Sequence, residues 1–107
     1  MSRERSQFIR GLYGSMIGDF VMIGRDHGYA MAVHGSLSTD LDIVAVPWTE
    51  DAATGDELLG AIMDELGLEV TAGCPGKKPH GRVAWSLVVG GGLWIDLSVM
   101  PLSAEDE

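Results

Sequence analysis

Three aspartates stand in stretches that otherwise read as apolar strands. Asp40 and Asp42, in Asp40-Leu-Asp-Ile-Val-Ala-Val46, are two residues apart. On an extended chain both side chains leave the same face, with Cα atoms roughly 6–7 Å apart, and one hard cation fits between them. Asp96 lies in Leu93-Trp-Ile-Asp-Leu-Ser-Val99. There Leu93, Ile95, Leu97 and Val99 make one apolar face, and Asp96 shares the other with Trp94 and Ser98. A carboxylate on a strand bound for the core carries a heavy desolvation cost unless a cation or hydrogen-bond donors offset it. The acids are therefore expected at the mouths of their strands, with Asp40, Asp42 and Asp96 as one metal-binding and catalytic set. Three carboxylates from two strands suit phosphoryl transfer, which needs ligands that bridge ions about 4 Å apart and orient the attacking and leaving oxygens. Taken by itself, Asp40-Leu-Asp is also what a solvated strand start looks like. Gly35-Ser36 before it and Asp96 after it favour the shared metal site.

Gly35-Ser36 places a small residue and a hydroxyl at a tight turn, which can approach a phosphate and donate to it; alone, it is also an ordinary turn. The seven Lys and Arg residues are unevenly placed: Arg3, Arg5 and Arg10 near the start, Arg25 alone, and Lys77, Lys78 and Arg82 in one short stretch. That stretch reads either as a solvated basic loop or as a phosphate clamp. His34 and His80 gain little support as bases, and His27 reads as a helix-end residue. Trp48, Trp85 and Trp94 read as core or half-buried sheet residues, and Trp94, on the face of Asp96, could stack on a base. Cys74 has neither a neighbouring base nor a second cysteine and reads as a loop thiol. Gly90-Gly-Gly92 reads as a hairpin turn, since a phosphate loop would open a helix and none follows.

The run His34-Gly-Ser-Leu-Ser-Thr-Asp-Leu-Asp-Ile-Val44 resembles the signature of the polymerase-β-like nucleotidyltransferase superfamily: Gly-Ser after a strand, Asp-x-Asp on the next, a third acid on a later strand. The resemblance covers residues 29–100 in order, and Asp-Leu-Asp-Ile in an apolar strand is its specific part. In size, and in Val33-His-Gly-Ser, Val-Pro-Trp48 and Trp94-Ile-Asp-Leu-Ser-Val-Met-Pro101, the chain is similar to minimal nucleotidyltransferases, including small phage-encoded ones. The resemblance implies Mg²⁺ or Mn²⁺ as cofactor, an NTP as substrate, and Ser36 as a phosphate contact. Only Leu37, Ser38 and Thr39 separate Gly-Ser from Asp40, fewer than in most of that superfamily, where the longer segment helps hold the triphosphate. Such shortening spares the metal site but removes part of the phosphate grip. The expected activity is transfer of a nucleoside monophosphate from an NTP to a protein, RNA or small-molecule acceptor. The alternative is a noncatalytic nucleotide-binding or protein-interaction module of the same fold, and a third reading is one half of a two-component system.

The elements that must position these residues follow from periodicity. From about Ser2 to Arg25, Phe8, Ile9, Leu12, Tyr13, Met16, Ile17, Phe20 and Val21 give a long helix with a wide apolar face, capped by Ser2 and ended by Gly24 or Gly28. Tyr29 to Val33 reads as a buried strand. Asp40 to Val46, apolar on both faces after Asp42, suits a central strand covered on each side, and Pro47 ends it. Thr54-Gly-Asp-Glu57 has the form of a capping box, followed by the stripe Leu58, Leu59, Ile62, Met63 and Leu66 and a stop at Gly67. A strand over Leu68 to Thr71 and a loop over Gly73 to Gly81 come next. Arg82 to Val89 and Leu93 to Met100 form a hairpin; a three-glycine turn pairs Leu93 with Val89 and sets Asp96 opposite Ser86.

The expected fold is α+β or mixed α/β: a twisted mixed sheet of about five strands with two helices packed on it, in one domain over residues 1–107. A net charge of −9 argues against a nonspecific nucleic-acid coat and leaves local phosphate contacts open. A lone cysteine, no basic-then-apolar leader and no apolar run long enough for a bilayer lead to the expectation of a cytoplasmic protein with no membrane partner. A homo-oligomer or a partner protein is compatible with all of this.

Overall fold

The computed structural model describes residues 3–34, 40–71 and 73–102, with backbone alone at Ser6 and Asp40. The chain forms α1 (Arg3–Asp26), β1 (Tyr29–His34), β2 (Asp40–Pro47), α2 (Gly55–Leu66), β3 (Glu69–Val70), β4 (Gly76–Lys77), a 3₁₀ turn (Pro79–Gly81), β5 (Val83–Gly90) and β6 (Leu93–Val99). The sheet runs β1-β2-β6-β5-β3, with β4 also on β5. Among the described residues, β2 and β6 alone pair in parallel, the other pairs being antiparallel. This is the expected α+β architecture, a mixed sheet with two helices, with six strands in place of about five. Among the described residues, no helix is long and apolar enough to cross a membrane.

The strands sort their side chains by alternation. Leu41, Ile43 and Ala45 of β2, Trp85 and Leu87 of β5, and Leu93, Ile95, Leu97 and Val99 of β6 are buried in one cluster with Ile9, Tyr13, Phe20 and Ile23 of α1 and Leu58 and Ile62 of α2. The intervening residues Asp42, Val44, Ser86, Asp96 and Ser98 are half-buried, and Val46 is exposed. β2 is central in the sheet as expected, but it is covered on one face, not two. Both helices share one core, so neither helix covers the second face of the sheet, which can carry polar groups.

α1 buries a narrower stripe than its composition suggests. Ile9, Tyr13, Phe20 and Ile23 are buried, while Phe8, at 66% exposure, turns away. The helix ends at Asp26, and just beyond it Gly28 has a φ of +84° and a closeness to the loop after β2 that both require glycine: an added Cβ would lie 2.5 Å from Thr49 Oγ1 and 2.7 Å from Ala52 Cα. The Gly28 carbonyl accepts from the Trp48 and Thr49 amides, so this contact ties the end of β2 to the end of α1. The expected cap at Ser2 lies outside the described residues.

At the start of α2 the capping box is present. The Glu57 amide donates to Thr54 Oγ1 at 3.1 Å, and the Thr54 amide donates to Glu57 Oε1 at 3.0 Å. Gly67 closes the helix in the left-handed region, at φ 66°. The strand expected over Leu68 to Thr71 is shorter, Glu69–Val70. The stretch Gly73 to Gly81, expected as loop, contains β4 and the 3₁₀ turn, because the outer edge of β5 beyond β3 offers backbone partners to Gly76 and Lys77. Trp48, expected in or near the core, is 80% exposed just past the end of β2.

Two outcomes test this account. In α1, Gly18 is exposed and a Cβ there meets nothing within 4 Å, whereas at Gly28 it meets backbone. In chemical denaturation, Gly18→Ala should stabilise by about 0.5–1 kcal/mol, and Gly28→Ala should destabilise by more than about 1 kcal/mol. Thr54→Ala should cost about 1 kcal/mol. The Thr54 backbone amide, with its hydroxyl, holds the Glu57 carboxyl below the usual carboxylate range. A lowered native pKa gives a contribution present above the unfolded value and lost as pH falls through the native one. Glu57→Gln should therefore flatten the acid side of the stability profile.

Candidate functional site

Strand register brings the chemistry together. On the open face, His34 of β1 pairs with Asp42 of β2, Asp42 with Asp96 of β6, and Asp96 with Ser86 of β5, a single row across four strands. Residues paired in this way share a face, and neighbouring strands stand about 4.8 Å apart. Asp42 and Asp96 therefore leave the sheet side by side. The next row one way holds Val44 and Ser98, and the next the other way pairs the Asp40 backbone with Trp94, which is 42% exposed. The side chain of Asp40 lies outside the described residues, as do Gly35 and Ser36.

Asp96 faces Ser86 as the hairpin expectation required, but the turn differs. Leu93 pairs with Gly90, and Val89 is bulged out between Val88 and Gly90. The positive φ values of Gly91 and Gly92 close a two-residue turn, so the third glycine belongs to the strand and one extra residue has to be absorbed as the bulge. Asp96 keeps its partner because the shift lies beyond Val88. Ser86 Oγ donates to Asp96 Oδ1 at 2.9 Å.

A second wall rises from the segment between β3 and β5. A cleft of about 370 Å³ is lined by His34, Asp42, Asp96, Ser86 and Ser98 from the sheet and by Cys74, Lys78 and Arg82 from that segment. The Lys78 amide donates to the Arg82 carbonyl at 2.8 Å, which closes the turn carrying the two cations. Lys77, by contrast, is exposed on β4 and does not line the cleft. Two other clefts of about 410 and 540 Å³ bring no pair of acids beside cations. Cys74 is a free thiol in the loop after β3. It lines the cleft, with Sγ accepting from the Ser86 amide at 3.3 Å and 3.4 Å from Thr71 Oγ1. No local pattern marks this, since it depends on how the loop folds over β5.

The donors suit a hard, small cation. Mg²⁺ is commonly held by one or two carboxylates with waters and substrate phosphates completing its shell, and Asp42 and Asp96 supply two carboxylates on one face. Among the described residues there is no group of three or more His, Cys, Asp or Glu side chains placed for a metal. Acid in the floor and cations at the rim can together take an anionic ligand with its counter-ion. Comparison with family models, curated proteins and solved structures finds no match to this chain, so the functional reading rests on this geometry.

Proposed function

We propose that the chain is a metal-dependent nucleotidyltransferase that moves a nucleoside monophosphate from an NTP to an acceptor. The observation that carries this reading is the in-register placement of Asp42 beside Asp96, across the parallel pair of β2 with β6, in a cleft that Lys78 and Arg82 also line. In such a transfer an acceptor oxygen attacks the α-phosphorus, the bond to the bridging oxygen of the β-phosphate breaks, pyrophosphate leaves, and Asp96 takes the acceptor proton. Bound Mg²⁺ or Mn²⁺ would neutralise charge on the phosphates and align the attacking and leaving oxygens. Asp42 and Asp96 hold that ion, with Asp40 as the third carboxylate. Lys78 and Arg82 take the terminal phosphates, Gly35 and Ser36 add contacts from the β1–β2 connection, and Trp94 offers a face for the base. Lys77 is the weakest of the proposed phosphate contacts, because it stands outside the cleft. The lone thiol fits a reducing, cytoplasmic setting.

A second reading, a noncatalytic nucleotide-binding or interaction module of the same fold, is favoured by one observation. Only three residues join Gly35-Ser36 to Asp40, which leaves little chain to grip a triphosphate. An α-labelled NTP offered with Mn²⁺ and a cell extract as acceptor source separates the two. Label transfer that Asp42→Asn and Asp96→Asn abolish supports the enzyme. Nucleotide binding without transfer supports the module.

The cation should bind the native acid pair and not the unfolded chain. Mn²⁺ at a hundredfold excess over its Kd should then stabilise the wild type by about 2.7 kcal/mol in thermal melts, and Asp42→Asn should lose the shift. An equal shift in the variant would place the ion elsewhere. The cations make a separate prediction. Lys78→Ala with Arg82→Ala should weaken nucleotide binding roughly tenfold or more, the value of one charge-assisted hydrogen bond, and reduce its salt dependence. Lys77→Ala should change affinity little. Calorimetric titration at two salt concentrations, with a nonhydrolysable NTP, measures both.

A further inference from the structure

Ser86 stands in a position that only its pairing geometry explains. Its backbone groups point away from β6: the amide donates to Cys74 Sγ at 3.3 Å and the carbonyl accepts from the Thr71 amide at 3.0 Å. Ser86 and Asp96 are therefore a pair without mutual backbone hydrogen bonds, the kind in which Cα atoms come closest, about 4.5 Å, and side chains meet. Thr71 and Cys74 hold Ser86 from the far side, and the Ser86 hydroxyl donates to Asp96 Oδ1 at 2.9 Å. One oxygen of the carboxylate is thus engaged, and Asp96 lines the same cleft as Asp42.

We propose that Ser86 is a positioning and selectivity residue that presents Asp96 to a cation through one oxygen, and so favours small octahedral ions over Ca²⁺. This rests on the reading of Asp42 and Asp96 as a cation site. Mg²⁺ and Mn²⁺ sites take carboxylates one oxygen at a time in a compact octahedron, while Ca²⁺ accepts six to eight oxygens and commonly binds a carboxylate through both. A hydroxyl proton on Oδ1 competes with two-oxygen binding and orients Oδ2, as groups behind metal ligands do. Removal of the hydroxyl lets the carboxylate turn, at the expense of the small ion and to the benefit of the large one.

The test is calorimetric titration of the whole chain with Mn²⁺ and with Ca²⁺, for the wild type and for Ser86→Ala, Ser86→Val and Ser86→Thr. Valine and threonine have nearly the same shape, so their difference isolates the hydroxyl even if the alanine variant folds poorly. Melts without added cation establish that each variant is folded. The wild type and Ser86→Thr should prefer Mn²⁺, and in Ser86→Ala and Ser86→Val that preference should shrink about tenfold, the usual size of such effects. An unchanged ratio in the variants without a hydroxyl overturns the proposal, as does an equal loss of both ions or a ratio in Ser86→Thr that matches Ser86→Val. A wild type that binds neither ion removes the cation site itself and this proposal with it, an outcome distinct from a site that binds but ignores Ser86.

Discussion

The parallel pairing of β2 with β6 is the constraint on which the rest depends. Successive side chains of a strand point to opposite faces, so once Leu41, Ile43 and Ala45 pack into the same core as Ile95, Leu97 and Val99, the residues between them must face the other way. Asp42 and Asp96 are thereby placed together on the open face. A slip of one residue would bury one of the two acids and expose a row of apolar side chains, at a cost far beyond what any surface contact returns. Two carboxylates side by side repel, and like charges directly opposite weaken a sheet. The fold tolerates the pair because half-exposure keeps both hydrated and because Ser86 donates to one of them.

The outer edge of β5 is the second determinant. β3 and β4 pair with different parts of it, β3 with Leu87 and Val88 and β4 with Val83 and Ala84. Cys74 and Thr71 are held against Ser86, and the turn that follows β4 brings Lys78 and Arg82 to the cleft that the acids line. A strand edge, which left open would be a liability, thus becomes the anchor for the wall of the cleft. The cations matter more here than their number suggests, since a chain with a net charge of −9 offers an anionic ligand little attraction elsewhere.

Scaffold and site are divided between the two faces of the sheet. One face is shielded by α1 and α2, whose ends are fixed by Gly28 against Thr49 and Ala52 and by the Thr54–Glu57 box. The other carries His34, Asp42, Asp96, Ser86 and Ser98 with little apolar cover. Substitutions on the open face should therefore have small effects on folding, and truncations of the buried Ile43 or Leu97 large ones.

By itself the sequence determined whatever depends on local periodicity and local hydrogen bonding. The capping box and Gly67 bounded α2 because the groups that satisfy its ends are neighbours in the chain. The alternation in Leu93 to Val99 put Asp96 opposite the core face, whereas its pairing with Ser86, expected from a three-glycine turn, arises from a two-residue turn and a bulge that together restore the same register. The bulge at Val89 was not legible, since three glycines allow more than one turn. Tertiary structure alone decided that both helices cover one face, so β2 was exposed where its apolar composition suggested cover on both sides. It also decided that Lys78 and Arg82 line the cleft while Lys77 does not, and that Cys74 touches Ser86. Those placements arise from a Pro- and Gly-rich segment meeting the free edge of β5, a contact between residues distant in the chain, and no spacing within the segment records which of its side chains turns inward.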